Sequence, residues 1–313
     1  MNIDYGYKYR AGDNVLRVGQ SISDLERDLR SLERNSLFAS SIDSLNDPCE
    51  AMVFGDNLKK EMELVSQLLG RKKPDLSEFQ TDDLLSNLNE KYGIYSLAGR
   101  YNHELLWAHY ANSHKGFCIE YSLNDLKHGY SNEDLYTFQV VYPPEPPQLS
   151  LSEILGGNHV AVIQKVTGHK SGHWKYEDET RIVFNKPGPR HYHPKAITGI
   201  YFGLRMPPKI RDEIMRRLSG RGLKFYEILQ KPNTYMFYRQ EIANKHISDF
   251  KYLKEIPSSV TENGNVLFSI TRLEYKWTTK KGIIETEFEK PVSENALKWL
   301  AELVKERPFW TSR

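Results

Sequence analysis

Tyr92-Gly93-Ile94-Tyr95-Ser96-Leu97, then Glu104 to Ala111, then Gly116-Phe117-Cys118-Ile119-Glu120-Tyr121 carry the clearest fold signal in the chain. The outer runs are short, apolar and rich in aromatic and β-branched residues, and glycines punctuate them, as buried strands require. Between them Leu106 and Tyr110 stand one helical turn apart. The stretch reads as a strand-helix-strand unit. Toward the N-terminus, Tyr5 to Arg10 reads as an opening strand with Tyr5, Tyr7 and Tyr9 on one face. Ser23 is placed to cap a helix through about Arg34, with Leu25, Leu29 and Leu32 at helical spacing. Leu37-Phe38-Ala39 is a short strand, and Leu45-Asn46-Asp47-Pro48 is a turn whose Asn and Asp side chains bond their own backbone. A helix from about Leu58 to Leu69, ending at Gly70, precedes the loop Lys72-Lys73-Pro74 and a helix capped by Thr81 that carries Leu84, Leu85 and Leu88.

Toward the C-terminus, the strand Phe138 to Tyr142 meets Pro143-Pro144-Glu145-Pro146-Pro147, which cannot donate ladder hydrogen bonds and reads as an extended surface loop. A helix near Ser152 to Lys165, strands at Glu179 to Asn185 and Ile197 to Phe202, and a basic helix from about Pro208 to Leu218 ended by Gly220 follow. Tyr235-Met236-Phe237-Tyr238 reads as core or interface, with core the favoured reading. Val266 to Trp277 and Ile283 to Glu289 read as a long hairpin, and Glu294 to Arg307 as a final helix. The fold class expected is therefore α+β, a mixed, mainly antiparallel sheet core with packed helices plus a C-terminal hairpin and helix. Residues 1–230 read as the core domain and residues 231–313 as an extension packed on it.

Composition narrows the function classes. The 313 residues are 39% hydrophobic, 27% charged and 12% aromatic, enough to build a substantial core. Lys and Arg total 43 against 41 Asp and Glu, a net charge of +2, so no global field draws the molecule to nucleic acid or anionic membrane. Cys49 and Cys118 have no metal-type spacing and cannot frame a disulfide scaffold. With no apolar run near the ~18 residues of a membrane span and no signal-peptide pattern at Met1 to Tyr5, a cytoplasmic protein with no membrane partner is expected.

Tyr7-Lys8-Tyr9, Leu45-Asn46-Asp47-Pro48, Leu106-Trp107-Ala108-His109-Tyr110-Ala111 with Lys115-Gly116-Phe117, and Trp174-Lys175-Tyr176-Glu177-Asp178-Glu179-Thr180-Arg181 occur in that order. Together with Ile197 to Arg205 they resemble the bacterial domain-of-unknown-function family 2971 over residues 5–230. The sequence departs from the family pattern at Cys49, where an aromatic residue is more usual, and at Thr180, where Trp is frequent. The resemblance brings no established activity.

On a strand, Glu177, Glu179 and Arg181 would share one face, because side chains alternate with a period of two. A carboxylate beside a guanidinium is a candidate catalytic pair or a structural ion pair. The order of the strand with Tyr7-Lys8-Tyr9, the strand with Ser96, the helix with Trp107 and Tyr110 and the late strand with Glu179 also resembles the ADP-ribosyltransferase layout. That resemblance implies NAD as substrate. Glu179 would bond the ribose hydroxyl and stabilise oxocarbenium-like charge, with Glu177, Arg181 and His109 around it, while Tyr7, Lys8, Tyr9, Ser96, Trp107, Tyr110 and Trp174 would bind the cofactor. No histidine stands on the first strand, so Tyr7, Lys8, Tyr9 and Arg10 would have to fill the orienting role.

Two further constellations bear on function. His169, His173 and Glu177 at four-residue spacing, or His191 with His193, could supply metal ligands, but neither set matches a recognised zinc pattern and a metal-free site is the expectation. Arg205, Lys209, Arg211, Arg216, Arg217, Arg221 and Lys224, with Lys186 and Arg190, form either a solvated basic face or a cradle for phosphates. Three functions follow as alternatives. The first is an ADP-ribosyltransferase-like enzyme cleaving NAD and modifying nucleic acid or protein, as a bacterial toxin or phage-defence effector with a cognate antitoxin or defence partner. The second is a metal-dependent nuclease or phosphodiesterase, and the third a non-catalytic nucleotide-sensing or interaction module.

Overall fold

The structure, a computed structural model, describes residues 4–16, 18–47, 49, 53, 56–68, 91–127, 135–155, 159–219, 223–246 and three strands within residues 265–288. The strands in chain order are β1 (Tyr5–Arg10), β2 (Ser36–Ala39), β3 (Gly93–Leu97), β4 (Phe117–Ser122), β5 (Leu135–Gln139), β6 (Thr180–Phe184), β7 (Gly188–His191), β8 (Ile197–Phe202), β9 (Lys224–Gln230), β10 (Phe237–Ile242), β11 (Asn265–Ser269), β12 (Leu273–Thr279) and β13 (Gly282–Phe288). The helices are α1 (Asp24–Glu33), α2 (Asp56–Leu68), α3 (Glu104–Tyr110), α4 (Leu123–Lys127), α5 (Leu151–Leu155), α6 (His159–Thr167) and α7 (Pro208–Arg217). The class is α+β with mostly antiparallel sheets, as the hydrophobic patterning predicts. The expected helix capped by Thr81 with Leu84, Leu85 and Leu88, the one at residues 294–307, Gly70, the loop at residues 72–74, Gly220 and Arg221 lie outside the described residues.

The backbone divides into two interleaved units. The first takes residues 1–8, 36–105 and 129–191. Its main sheet has the order β3-β6-β5, both pairings antiparallel, and β2 pairs with β7 beside it. Ile94, Phe138 and Val183 from the three strands bury together with Ile42, Leu149, Ile163 and Val166. Burial of this kind is the main stabilising contribution to the unit. All five residues of β6 are buried. The central strand of a covered sheet has no solvated face, so any charge on it must be paired.

The second unit takes residues 9–35, 106–128 and 192–313. Its main sheet has the order β1-β4-β8-β9-β10, mostly antiparallel, with the parallel pair β8 and β9 joined through α7. Leu25, Leu29 and Leu32 of α1 are buried as their spacing predicts, and the Ser23 side chain accepts from the Glu26 amide as an N-cap. β11, β13 and β12 form a separate sheet: β12 and β13 make a hairpin as expected, but the expected first arm, Val266 to Trp277, is two strands, and β11 runs parallel to β13.

Three sequence expectations change. The strands β3 and β4, read as one strand-helix-strand unit, belong to different sheets, because each finds its hydrogen-bonding partner far away in sequence. The boundary at residue 230 falls inside a β-hairpin, since β9 and β10 pair directly from Gln230 with Phe237 onward. Tyr235-Met236-Phe237-Tyr238 is not core: it begins at the tip of that hairpin, where Tyr235 is 89% exposed, and Met236 and Tyr238 are exposed with it. A locally apolar run carries no information about which side of a turn faces solvent.

Candidate functional site

Arg181 enters the first unit on the central strand β6, opposite Ser96 on β3 and Phe138 on β5. It is 1% exposed, so its guanidinium has to be satisfied from inside. Nε donates to Glu179 Oε1 at 2.8 Å, Nη2 to Glu179 Oε2 at 3.2 Å, and Nη1 to the Thr167 carbonyl oxygen at the end of α6 at 2.8 Å. This two-pronged pairing of planar fork with carboxylate is the strongest ion-pair geometry available to side chains.

Glu179 is 4% exposed. Lys170 stands 3.5 Å from its Oε2 and donates to Glu177 Oε2 at 2.7 Å, so one ammonium bridges two buried carboxylates. The same ammonium lies over the Trp174 ring, 4.4 Å from the centroid. The Ser96 hydroxyl bonds the Glu179 carboxylate, and Lys8 Nζ donates to the Ser96 carbonyl oxygen at 2.9 Å. The Glu179 amide donates to Tyr142 Oη at 2.9 Å. Burial pushes the Tyr142 hydroxyl well above the usual phenol range, so it stays protonated.

Glu177 does not share a strand face with Glu179. It ends a 3₁₀ turn, Gly172–Glu177, and Asp178 then takes a left-handed conformation at φ 49° that reverses the chain before β6 begins. The turn packs closely against Gly99, where a Cβ would lie 2.6 Å from Asp178 Oδ2. The pairing of the carboxylates thus comes from Lys170 and not from strand periodicity. Nor is this an edge-strand charge cluster open to water. It is a buried network.

Burial alone would raise the Glu179 carboxyl, but the adjacent Arg181, with Lys170 and Ser96, outweighs it and holds the group at about 2 against an ordinary 4.5. A folded value below the unfolded one means that the stabilisation is present above about pH 4.5 and is lost as pH falls toward 2. The difference corresponds to about 3 kcal/mol. Urea titrations of wild type and Glu179→Gln at pH 6, 4 and 3 should converge as pH falls, because the variant lacks the titrating group. A constant gap between the two across that range would mean that Glu179 is not held ionised by its neighbours.

The remaining expected residues fall elsewhere. Tyr7 lies in the first unit with its ring 5.8 Å from Tyr101. Tyr9, Trp107, His109 and Tyr110 belong to the second unit. There Trp107 is fully buried and Tyr9 nearly so, packed edge to face at 5.1 Å, which assigns both rings to the core. His109 is exposed and Tyr110 half-buried on α3. His169 turns Nδ1 toward the Gln164 and Lys165 carbonyls of α6, and Lys170 occupies Glu177, so the His169, His173 and Glu177 set does not converge. His193 caps a 3₁₀ turn through the Lys195 amide. Among the described residues no group of three or more His, Cys, Asp or Glu side chains is arranged to hold a metal ion.

Four cations of the basic face are paired with carboxylates. Arg211 pairs with Glu227 at 3.1 Å, Arg216 with Glu213 at 2.8 Å, and Arg217 with Glu33 at 2.7 Å and with Glu26. Lys224 stands 3.8 Å from Glu241.

Sequence reading missed Lys170 and Tyr142. Neither lies in a periodic pattern: Lys170 arrives on the loop between α6 and the 3₁₀ turn, and Tyr142 just past β5. The one available signal was a lysine seven residues before Glu177 in a Gly-bounded loop. Sequence also gave no hint of the buried carboxylate in the second unit's sheet. Glu120 on β4 accepts from Tyr201 at 2.5 Å and Thr198 at 2.7 Å, with Arg239 paired to it at 3.4 Å.

No helix among the described residues is long and apolar enough to cross a membrane. Comparison with curated proteins and with solved structures finds no match. Comparison with protein families finds one, whose span holds Trp107, Trp174, Glu177, Glu179 and Arg181 and excludes Tyr7, Lys8 and Ser96. Residues 106–182 match the family described as protein of unknown function (DUF2971).

Proposed function

We propose that this chain is a non-catalytic nucleotide-sensing or interaction module in which Glu177, Lys170, Glu179 and Arg181 form a structural network. The observation that carries this reading is the state of Glu179. Both of its oxygens are held by Arg181, a second cation stands beside it, and the residue is 4% exposed. A carboxylate so committed and so buried lacks the access to bond a ribose hydroxyl, and withdrawing it from Arg181 would leave a buried guanidinium without its carboxylate.

A second reading, an ADP-ribosyltransferase-like enzyme cleaving NAD, is favoured by one arrangement. Lys8 on β1 bonds the Ser96 carbonyl oxygen on β3, and the Ser96 side chain bonds Glu179 just before β6, so the three residues stand together in the order of this layout. An ionised carboxylate also suits the stabilisation of developing positive charge. A toxin or defence role, with an antitoxin or other partner, goes with this reading. The nuclease reading is the least supported, because the Lys170 ammonium stands between the two carboxylates that a metal ion would need.

Nicotinamide release from NAD by wild type and Glu179→Gln, in a chelator and with and without nucleic acid, tests the first reading. It expects no release from either protein and a less stable variant. Release by wild type that survives the chelator and vanishes in a folded Glu179→Gln protein would overturn it in favour of the enzyme.

A further inference from the structure

The five-stranded sheet of the second unit ends at β10, which among the described residues pairs with β9 alone. An edge strand presents a row of backbone N–H and C=O groups to any chain that can lie beside it, and proteins commonly blunt such edges with a bulge, a proline or a charge. β10 has no proline, and all six of its residues pair with β9 in unbroken register. Tyr238, Arg239, Gln240 and Glu241 are exposed in succession, so both faces of the strand are open to solvent. Its two charges, Arg239 and Glu241, are opposite in sign and stand two residues apart on one face. Whether they repel an incoming strand depends on what that strand sets against them.

The backbone selects the register. The hairpin closes through the Lys231 amide, which donates to the Met236 carbonyl oxygen at 2.9 Å. Met236 therefore turns its backbone groups toward β9, and by alternation so do Tyr238, Gln240 and Ile242, which leaves Phe237, Arg239 and Glu241 to direct theirs outward. Two copies related by a two-fold axis bring identical strands together antiparallel, and only outward-facing residues can form hydrogen-bonded pairs across the joint. With the axis at Gln240, Arg239 of each copy stands opposite Glu241 of the other. Both pairs are then hydrogen-bonded, both join opposite charges, and Tyr238 meets Ile242 on the other face. Moving the axis by one residue sets Arg239 against Arg239 or Glu241 against Glu241, which is unfavourable. Arg239 is already anchored over the Tyr226 ring, 4.6 Å from the centroid, and beside Glu120 at 3.4 Å, so it loses little freedom when a second carboxylate arrives.

We propose that β10 is the interface of a symmetric dimer, in which two copies of this chain join edge to edge into one continuous sheet with Arg239 of each facing Glu241 of the other. The exposed Tyr235 and Met236 at the hairpin tip run on past Ile242 of the other copy and add apolar area. A single pair of short strands buries less than a standard interface, so the dimer is weak and concentration-dependent. The proposal uses the second unit only and is independent of the reading of the Glu179 network.

Sedimentation velocity of the full-length protein from about 10 μM to about 1 mM tests it. Wild type should pass from monomer to dimer across that range. Glu241→Arg sets arginine against arginine and should weaken self-association at least about tenfold. Glu241→Pro, which removes an outward N–H that β9 does not use, should do the same. Arg239→Glu should also be monomeric alone, but mixed with Glu241→Arg it should give a heterodimer, because every charged pair across the joint is then opposite in sign. Recovery on mixing cannot come from a folding defect. A wild type that stays monomeric throughout, a dimer unmoved by both Glu241 variants, or two folded charge variants that fail to pair on mixing overturns the proposal.

Discussion

Replacing Arg181 with Met should lower folding stability by about 3–5 kcal/mol, the cost of breaking a buried ion pair from one side. Met roughly matches the length of the aliphatic stem, so the loss comes from charge and hydrogen bonding and not from a cavity. The substitution leaves Glu179 buried with only Lys170 at 3.5 Å and Ser96 for company, and strips the Thr167 carbonyl of its donor. Arg181→Met combined with Glu179→Leu should recover a large part of the loss, because no uncompensated charge remains. Urea unfolding of wild type, the two single variants and the double variant gives the coupling energy. If Arg181→Met costs less than about 1 kcal/mol, Glu179 must be reaching solvent, and the structural account of the network fails with it.

Trp107→Ala should cost a comparable amount, about 3–5 kcal/mol, by removing a large side chain from a site that cannot collapse onto it. Trp107 is fully buried and meets the Tyr9 ring edge to face at 5.1 Å. Deleting it empties a volume beside the Tyr9 ring, which β1 holds in place. Trp107→Phe should cost distinctly less, since it keeps part of the ring contact. The measurement separates two roles that sequence cannot distinguish. A ligand-stacking tryptophan would lose nucleotide affinity on replacement with little change in unfolding, whereas a core tryptophan loses stability first. Midpoints in urea for both variants, with AMP titrations on the folded protein, show which.

The buried network and the basic face make one point about charge in this chain. Near-equal numbers of acidic and basic residues on a sequence predict only a weak global field. In the structure the balance is realised locally: Arg181 and Lys170 against Glu179 and Glu177 inside the first unit, Arg217 against Glu26 and Glu33 in the second. The surface members of these pairs, such as Arg216 with Glu213, contribute little to stability, while the buried ones set which side chains can be removed without collapse.

Much of the local structure was legible in the sequence, because it depends on neighbours within a few residues. The Ser23 cap, the leucine stripe of α1, the Asp47 turn that accepts the Cys49 amide, the limits of β8 and the β12 and β13 hairpin each follow from spacing and turn chemistry. The importance of Glu179 and Arg181 was legible too, because a carboxylate and a guanidinium two apart at the start of an apolar strand have to answer each other. Only the tertiary structure decided what that answer is. Whether β6 is an edge or a central strand depends on β3, more than eighty residues earlier, and on β5, about forty earlier, pairing to its two sides, and no local pattern encodes either. That placement turned a surface charge pair into a buried one and brought Lys170 between two carboxylates that strand periodicity had aligned for the wrong reason.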